Sequence, residues 1–431
     1  MTCVAENRVM QTTPFWTDQF PRPADLPTDP LPAQVDVAIV GGGYTGLNAA
    51  RVLARSGASV AVLEQQTIGW GASSRNGGMA TTGIKQSTQV IFHRYGETIG
   101  RAFWQTSLDA IDLIGEIVAD EGLECDFLRK GHVALAFKPS HFERLQARAR
   151  WYQQKLDYSV YPVAPSDLRA EIGSDAFYGG LVDEWSAGLH PAKYVFGLAG
   201  VAARYGACLC ENTAVSRIEK QPDSYELHTG QGVLKAKEVV MATNGYTGAT
   251  LPGLKRRVFP VGSYIIATEP LPLELQKKLS PRGRMFYDSK WFLNYFRLTP
   301  DGRLLWGGRN NLSTGLDLVK SAQRLRRQMI RVFPELHDVP VTHSWTGQLG
   351  MTFDLMPHIG RVGGIHYALG YCGHGVSIAT YLGTEIGLLL SGQKTSSPFA
   401  EINHQTMFFY RKRPWFLPFA ALYYRLLDSI S

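Results

Sequence analysis

The sequence predicts an α/β protein, α+β overall, in which a domain with a parallel sheet is interleaved with a second domain built on a mostly antiparallel sheet. Three observations lead to this prediction. A short apolar run, residues 35–40, ends in three glycines, and a later strand pattern ends in a second glycine-rich turn, residues 370–375. Between these two units, residues 259–307 contain paired β patterns. Strand–turn–helix units separated by paired strands indicate domains that are interleaved along the chain.

Length and composition are those of an ordinary globular protein. The 431 residues are enough for two or three domains, and 45% of them are hydrophobic while 19% are charged. The net charge of +7 is spread along the chain, so we expect anionic small ligands or lipid headgroups as partners and no nucleic acid. None of the five cysteines forms a CxxC pair, so neither a disulfide framework nor a metal site is expected. Residues 1–20 contain no apolar run and no long apolar stretch follows, so we expect a cytoplasmic protein without a signal peptide.

The secondary structure can be followed along the chain. Residues 1–33 are rich in proline and predict an extended N-terminal arm laid on the surface, which residues 14–16 can fix to the body. Residues 35–40 predict a buried parallel strand, and residues 46–56 have helical spacing that Gly57 closes. Residues 59–64 predict the next strand. Further helices are predicted at 98–121, 141–156, 191–205 and 375–391, and further strands at 132–137, 234–242, 259–268, 291–299 and 303–307.

The first strand and helix flank a G-x-G-x-x-G fingerprint made by Gly41, Gly43 and Gly46. The first glycine permits the tight turn, the second lets a pyrophosphate approach the backbone, and the third lets helix and strand pack closely. Glu64 ends the next strand, where its carboxylate can accept hydrogen bonds from ribose hydroxyls and disfavours a 2′-phosphate. The helix N-terminus supplies N–H groups for the phosphates, so Tyr44 and Thr45 are also assigned to the cofactor.

A second glycine-rich segment, residues 69–78, indicates FAD rather than a nicotinamide cofactor. Its small polar residues do not pack a core, but their N–H groups can donate along a long flat ligand. The alternative is a flexible surface loop. The residues assigned to the cofactor here are Gly71, Ala72, Ser73, Arg75, Asn76, Gly77 and Gly78.

The glycine-rich turn near the C-terminus is expected to reach the same ligand. Residues 370–375 end a predicted strand and begin a helix, which places a second helix N-terminus where it stabilises negative charge on the reduced ring system. The residues assigned to the cofactor in this turn are Gly373, His374, Gly375 and Val376, and elsewhere Val215, Thr243 and Gly347.

These assignments predict a Rossmann-type FAD-binding domain interleaved with a substrate domain. We expect the FAD-binding domain to comprise three segments and the substrate domain two. The predicted boundaries are 1–33 for the N-terminal arm, 34–90, 160–252 and 343–393 for the FAD-binding domain, 91–159 and 253–342 for the substrate domain, and 394–431 for the C-terminal tail.

The motifs resemble those of the D-amino-acid oxidase superfamily of FAD-dependent oxidoreductases, and in particular the γ-glutamylputrescine oxidoreductase group. The resemblance covers nearly the whole chain from about residue 14. It implies oxidation of a C–N bond in an amine or amino acid by hydride transfer to the flavin, which gives an imine that water hydrolyses. It also implies O2 or a respiratory quinone as electron acceptor. The motifs are VDVAIVGGGYTGLNAARVLARSGASVAVLEQQTIGWGASSRNGG (35–78), GLHP (188–191), MATNGYTG (241–248), YFRLTPDGRLLWGGR (295–309), WTGQLGMTFDLMPHIGR (345–361), GYCGHGV (370–376) and PFAALYYRLLD (418–428).

Four positions depart from the similar sarcosine oxidases. Trp345 stands where those enzymes bind the flavin through a cysteine, which implies non-covalent FAD. Leu305 stands where they have a lysine that helps to activate O2, which puts rapid oxidase activity in doubt. Thr81 and Ser377 stand where they bind a substrate carboxylate with an arginine and a lysine, so a small N-methyl amino acid held in that way is not expected.

Three residues are candidates for the catalytic site. Tyr295 and Arg297 share one face of a predicted strand, where the pair can bind a substrate carboxylate. The alternative for this arginine is a salt bridge on the outer face of the sheet. His374 can donate to the flavin edge or orient substrate, or it can be a loop histidine bonded to backbone. We expect positioning residues rather than a catalytic dyad, because hydride transfer from a neutral amine needs orientation and exclusion of water.

The C-terminal tail combines a basic cluster, residues 411–413, with apolar residues at helical spacing from 415 to 427. Such a segment suits peripheral contact with an anionic inner membrane. The alternative is a helix packed on its own body.

Three functions therefore remain open from the sequence. The first is FAD-dependent oxidation of a γ-glutamylputrescine-like amine or an amino acid. The second is a membrane-associated dehydrogenase or oxidase of a cyclic or N-substituted amino acid such as L-pipecolate. The third is a flavin-binding protein without turnover.

Overall fold

A computed structural model of the protein describes residues 10–308, 312–410 and 413–430. The α-helices are α1 Phe15–Gln19, α2 Tyr44–Arg55, α3 Thr88–Glu121, α4 Pro139–Leu156, α5 Pro191–Arg204, α6 Pro252–Lys255, α7 Leu273–Leu279, α8 Leu318–Val332, α9 Gly375–Leu390 and α10 Leu417–Ile430. The strands are β1 Gln34–Val40, β2 Val60–Leu63, β3 Met79–Ala80, β4 Leu128–Arg129, β5 His132–Leu135, β6 Tyr161–Val163, β7 Gly180–Asp183, β8 Ala187–Gly188, β9 Cys208–Cys210, β10 Val215–Lys220, β11 Tyr225–Thr229, β12 Gly232–Met241, β13 Phe259–Pro270, β14 Met285–Asp288, β15 Asn294–Leu298, β16 Arg303–Gly308, β17 Val341–Met351, β18 His358–Val362 and β19 Ile365–Leu369.

The first sheet has β1 at its centre. This strand pairs in parallel with β2 on one side and β12 on the other, and β9 and β19 extend the parallel set. Strands β10 and β11 add an antiparallel meander at the β12 edge. The central strands are almost entirely apolar, as expected for a sheet covered on both faces. Helices α2, α5 and α9 pack on one face, which confirms the predicted α/β architecture.

The second sheet runs in the order β17-β13-β16-β15-β14-β5-β7-β6. Its pairs are antiparallel except for the parallel pair β14–β5, which confirms the prediction of a mostly antiparallel sheet. Helix α8 covers one face, where Leu325 and Phe333 belong to the same core as Phe296 and Trp306. The opposite face is turned toward the first domain, because Tyr295 packs against Gly77 of the segment that follows β2.

Strand pairing corrects two of the predicted domain boundaries. Strands β6 and β7 fall within 160–252, yet they pair with each other and with β5 in the second sheet. Most of strand β17, from residue 343 on, likewise falls within 343–393 but pairs with β13. These strands gave no separate signal in the sequence, since β6 is short and contains a proline and β17 contains two glycines.

Helix α3 also differs from the prediction. It begins at Thr88 rather than at 98, and Gly96 kinks it with φ 83° and ψ 170°. Residues 88–95, before this kink, form a separate short helical segment that the predicted helix 98–121 did not include. Ile111, Ile114 and Ile117 of α3 pack into the core of the first domain, although residues 91–159 were assigned to the second.

The described parts of the N-terminal arm and of the C-terminal tail both pack on the body. In the N-terminal arm, Phe15 and Trp16 of α1 are fully buried, so an apolar anchor fixes the arm to the body. In the tail, Leu417 and Ala421 of α10 are buried against a cluster that contains Phe259. Arg411 and Lys412 of the predicted basic cluster lie outside the described residues. Among the described helices, none is long and apolar enough to cross a bilayer.

Helices α2 and α9 approach each other unusually closely. A β-carbon on Gly383 of α9 would collide with the carbonyl oxygen of Thr45. A β-carbon on Gly387, one turn later, would lie 2.6 Å from the β-carbon of Val52. Glycine therefore sets the distance between the two helices, and any side chain at these positions must push them apart.

We predict that Gly383→Ala lowers the free energy of unfolding by about 1–3 kcal/mol, because overpacking against backbone cannot be relieved by a rotamer change. The matched control is Gly200→Ala in α5, where nothing lies within 4 Å of the added carbon. Alanine there is expected to leave stability unchanged or to raise it by up to about 1 kcal/mol. Thermal unfolding followed by circular dichroism compares the two variants. Equal unfolding temperatures would contradict the close-packing argument.

Candidate active site

A cavity of about 210 Å³ lies at the carboxyl ends of the parallel strands of the first sheet. Val40, Leu63 and Met241, the last residues of β1, β2 and β12, line it. Ligands of α/β sheets bind at this edge. Most of the predicted cofactor residues line the same cavity, namely Gly41, Gly43, Tyr44, Thr45, Glu64, Gly71, Ala72, Ser73, Asn76, Val215, Thr243, Gly373, Gly375 and Val376.

The glycine fingerprint has the geometry that its spacing predicts. Gly41 has φ +114°, and a β-carbon there would lie 2.8 Å from the Ala242 carbonyl oxygen. A β-carbon on Gly43 would lie 2.7 Å from the Ser73 hydroxyl. A β-carbon on Gly46 would collide with the carbonyl oxygen of Gly41. Each glycine therefore keeps open a space that a side chain would fill, and the turn can accept a phosphate against its backbone.

Glu64 is held rigidly at the end of β2. One carboxylate oxygen accepts the Gly42 N–H at 2.9 Å, and the other accepts the Gln66 N–H at 2.9 Å. Burial raises the pKa of this carboxyl, while the backbone donors lower it. The side chain lines the cavity, where it fits the predicted role of accepting ribose hydroxyls.

A second helix N-terminus faces the same cavity. Helix α9 begins at Gly375, after a turn in which Cys372 has φ 53° and Gly373 has φ 106°. The Tyr371 and Thr45 hydroxyls are hydrogen-bonded at 2.6 Å, which ties this turn to the start of α2. Two helix N-termini at one cavity produce a positive potential suited to an anionic, electron-accepting ligand.

The segment 69–78 is not a flexible surface loop. The Trp16 indole donates to the Asn76 carbonyl at 2.7 Å, and the Trp345 indole donates to the Arg75 carbonyl at 3.0 Å. The Asn76 amide donates back to the carbonyls of Ala72 and Ser73, each at 3.0 Å. Two buried indoles from distant parts of the chain thus fix the path of this segment along the cavity wall.

A second cavity of about 410 Å³ adjoins the first and is enclosed by the second sheet, α4 and residues 79–89. Ala72, Asn76, Gly373 and Val376 line both cavities, so the two meet at the segments that begin α9 and follow β2. A long ligand that passes from the first cavity reaches the second at this junction. Arg75, Gly77, Gly347 and His374 of the predicted cofactor residues line the second cavity rather than the first.

Tyr295 and His374 both line the second cavity. The Tyr295 hydroxyl is hydrogen-bonded to the Ser263 hydroxyl at 3.0 Å, and its ring packs against Gly77 and Gly307. His374 precedes the first residue of α9 at the junction of the two cavities. The structure therefore places both candidates on the wall of the second cavity.

Arg297 lies elsewhere, although it shares a face of β15 with Tyr295. Its side chain is buried, donates to the Leu189 carbonyl at 2.7 Å, and stacks on the Trp16 ring at 5.4 Å. Burial lowers its pKa to about 10. Arg297 lines neither cavity, so this placement corrects both the proposed substrate contact and the alternative of an outer-face salt bridge. The N-terminal arm, whose position no sequence pattern gives, occupies the space in front of it.

Gly46 and Gly78 also line neither cavity. Gly46 serves the close packing of α2 that the fingerprint predicts. Gly78 has φ +65°, and a β-carbon there would collide with the Leu189 carbonyl. Both glycines therefore support the cavity wall rather than forming it.

The residues that depart from the sarcosine oxidase pattern are near the cofactor space. Leu305 is fully buried beside Gly77, and Trp345 supports the segment 69–78 as described above. Thr81 lines the second cavity, whereas Ser377 is buried in α9 and lines neither.

Several polar residues of the second cavity were not identified from the sequence. They come from strands and helices that are far apart in sequence, and each alone resembles an ordinary surface or core residue. They are Lys85, Gln86, His132, Arg148, Tyr152, Asp183, Tyr287, Asp288, Lys290 and Gln348.

Comparison with known proteins gives a consistent result. The chain is 32% identical over 403 residues to γ-glutamylputrescine oxidoreductase of Escherichia coli (strain K12), covering 92% of this chain and 93% of that protein. It is 33% identical over 364 residues to the probable oxidoreductase OrdL of Haemophilus influenzae, covering 83% of each. Its fold is similar to the crystal structure of glycine oxidase from Geobacillus kaustophilus, with a TM-score of 0.74 and 23% identity over 87% of this chain and all of that one.

The family model described as FAD dependent oxidoreductase matches residues 36–387, from the first strand of the parallel sheet to the last turns of α9. That match includes the glycine fingerprint, the segment 69–78 and the second helix N-terminus. The chain therefore belongs to the family of FAD-dependent oxidoreductases, and FAD is its cofactor.

Proposed function

We propose that this enzyme oxidises a C–N bond of an amine or amino acid, and that a γ-glutamylputrescine-like amine is the substrate class. The observation that carries the proposal is the 410 Å³ cavity, lined by Tyr295 and His374, that adjoins the cofactor cavity. Its size and its polar far wall suit an extended amine better than a small amino acid. The E. coli relative named for γ-glutamylputrescine covers nearly the whole chain and supports the same substrate class.

When bound, FAD would supply a two-electron acceptor for a hydride from the carbon beside the substrate nitrogen. The chain supplies orientation and a dry site, as hydride transfer requires. Tyr295 and His374 orient the reacting end at the wall of the second cavity. The FAD is held without a covalent bond, since an indole at Trp345 has no nucleophile to offer.

The cavity also bears on the other two functions. A flavin-binding protein without turnover would need no enclosed space beside its cofactor, so this candidate is disfavoured. A membrane-associated dehydrogenase is favoured by one observation, the outer face of α10. Phe419, Leu422, Tyr423 and Leu426 are each more than half exposed there.

Helix α10 is joined to the wall of the second cavity. The Asp428 carboxylate accepts the N–H groups of Trp291 at 2.8 Å and Phe292 at 3.0 Å, and Tyr424 stacks on the Trp291 ring at 5.2 Å. The loop that contains Trp291 and Phe292 continues into Leu293, which lines the second cavity. We therefore propose that α10 packs on the body with one face and docks on an anionic membrane with the other.

We also propose a quinone as the electron acceptor. Leu305 places an apolar side chain near the cofactor space where the sarcosine oxidases have a lysine. Without a cation there, the negative charge that develops on O2 has less stabilisation.

The first prediction tests the reaction. Anaerobic addition of γ-glutamylputrescine should bleach the flavin absorbance of the purified holoenzyme, whereas L-pipecolate and sarcosine should bleach it more slowly. Tyr295→Phe should lower the bleaching rate and leave the FAD content unchanged, because the ring remains and the hydroxyl is lost. A flavin that no amine or amino acid bleaches would exclude the proposed function.

The second prediction concerns the cofactor. Gly43→Val should abolish FAD content, because its side chain would enter the space of the Ser73 hydroxyl and of the pyrophosphate. Gly200→Ala is the matched control and should retain FAD. Acid precipitation of the wild-type protein should release all flavin into the supernatant. Flavin that stays with the precipitate would show a covalent bond and contradict the proposal for Trp345.

The third prediction concerns the tail and the acceptor. The full chain should co-sediment with vesicles that contain phosphatidylglycerol, and Leu422→Asp should weaken this binding, since it puts a charge on the apolar face. The control is Leu273→Asp in α7, a leucine of similar exposure on another surface. Enzyme reduced by substrate should be reoxidised faster by a soluble quinone than by air-saturated buffer. Equal rates together with no vesicle binding would indicate an oxidase without a membrane contact.

A further inference from the structure

The far end of the second cavity carries an arginine and a carboxylate that the reaction itself does not use. Arg148 extends from α4, and Asp183 is the last residue of β7. Both line the cavity, together with Tyr152 and Tyr287. Asp183 is only 3% exposed. An aromatic and polar wall with one cationic and one anionic group is suited to a ligand that carries one negative and one positive charge.

Neither group is neutralised by an ion pair among the described residues. The carboxylate of Asp183 accepts hydrogen bonds from three uncharged donors, the Tyr158 hydroxyl at 2.8 Å, the Thr82 hydroxyl at 2.6 Å and the Trp185 N–H at 3.0 Å. The Nε atom of Arg148 is buried and has no hydrogen-bond partner. Arg148 and Asp183 attract each other through space, but neither makes a direct ion pair among the described residues, so a ligand with a charge against each would stabilise both groups.

Other charges of this cavity are already engaged. Lys290 is paired with Asp288 at 2.7 Å, and Asp288 also accepts two hydrogen bonds from Asn294. Arg75 donates to the Trp70 carbonyl at 2.6 Å. His132 is next to Asp183 across the β5–β7 pair, but burial lowers its pKa to about 4, so it is neutral at physiological pH and does not compete as a cation.

The register of the second sheet gives the distance from this end to the cofactor junction. Tyr295 of β15 pairs directly with Tyr287 of β14. Tyr287 pairs with Ala134 of β5, and Ala134 pairs with Leu181 of β7. Asp183 lies two residues after Leu181 on the same face of the sheet. Three strand steps of about 4.8 Å separate the two ends by roughly 14 Å. A substrate that contacts both must be long.

We propose that Arg148 and Asp183 form a binding site for the α-amino-acid head group of an extended amine, the arginine holding its carboxylate and the aspartate its ammonium. The opposite, reacting end of the substrate then lies near Tyr295. The inference rests on the proposed amine oxidation for this orientation. It makes the enzyme selective for amines that carry a zwitterion at the far end, and it excludes simple diamines as good substrates.

Unreactive ligands test this site without turnover. N5-Butyl-L-glutamine carries the zwitterion on a chain that lacks the oxidisable amine. Glutaric acid monobutylamide lacks only the ammonium, and N-butyl-4-aminobutanamide lacks only the carboxylate. Calorimetric titration of the holoenzyme should give the tightest binding for the first ligand, and loss of either charge should weaken it roughly ten- to hundredfold.

Two variants should remove the two preferences separately. Arg148→Met should bind the ligand without a carboxylate as tightly as it binds N5-butyl-L-glutamine. The same variant should still bind the ligand without an ammonium more weakly. Asp183→Asn should do the reverse. Arg150→Met, an exposed position on the same helix, is the control and should change neither. Since each readout is a ratio between ligands for one variant, partial loss of folded protein affects both ligands equally.

The outcomes separate this inference from the proposed function. Equal binding of the three ligands by the wild type, or equal weakening of all three in both variants, would overturn the head-group site even if γ-glutamylputrescine bleaches the flavin. The predicted discrimination without any bleaching by γ-glutamylputrescine would support the site and overturn the proposed reaction.

Discussion

The close contact between α2 and α9 is the constraint on which the rest of the molecule depends. The two helices come from opposite ends of the chain, and their N-termini face one cavity only because Gly383 and Gly387 let them pack almost backbone to backbone. The hydrogen bond between Thr45 and Tyr371 fixes their relative position at the cavity itself. Electrostatic stabilisation by helix termini decreases within a single turn, so a shift of a few ångströms would remove one of the two contributions.

The path of the cofactor segment follows from a second constraint. Residues 69–78 are too small and too rich in glycine to hold a conformation by their own packing. The indoles of Trp16 and Trp345 supply that packing from outside and each bind one backbone carbonyl of the segment. The N-terminal arm is therefore part of the active-site architecture. It also explains the position of Arg297, which is buried beneath Trp16 and supports the segment near Gly78 instead of facing substrate.

The second sheet places the proposed reaction site and the proposed head-group site on different strands. Its β15 end meets the cofactor segment through Tyr295, and its β7 end presents Asp183 about three strands away. A sheet is well suited to such a division, because the spacing of its strands is fixed by hydrogen bonds and neighbouring side chains on one face stay in register. The sheet can thus hold the proposed reaction site and the proposed head-group site at a fixed distance from each other.

The sequence by itself determined the parallel-sheet unit, the FAD fingerprint and most of the elements around it. Those features are local, since a strand, a glycine turn and a helix are encoded within about 30 consecutive residues. The close approaches at Gly41 and Gly46 could be inferred for the same reason. Only the tertiary structure decided which residues face the second cavity. Arg148, Asp183 and Tyr295 come from three separate segments, and Arg297 is withdrawn from substrate by an arm about 280 residues away in sequence. Side-chain alternation predicts which face of a strand a residue occupies. Which other part of the chain covers that face depends on long-range packing, which no local pattern contains.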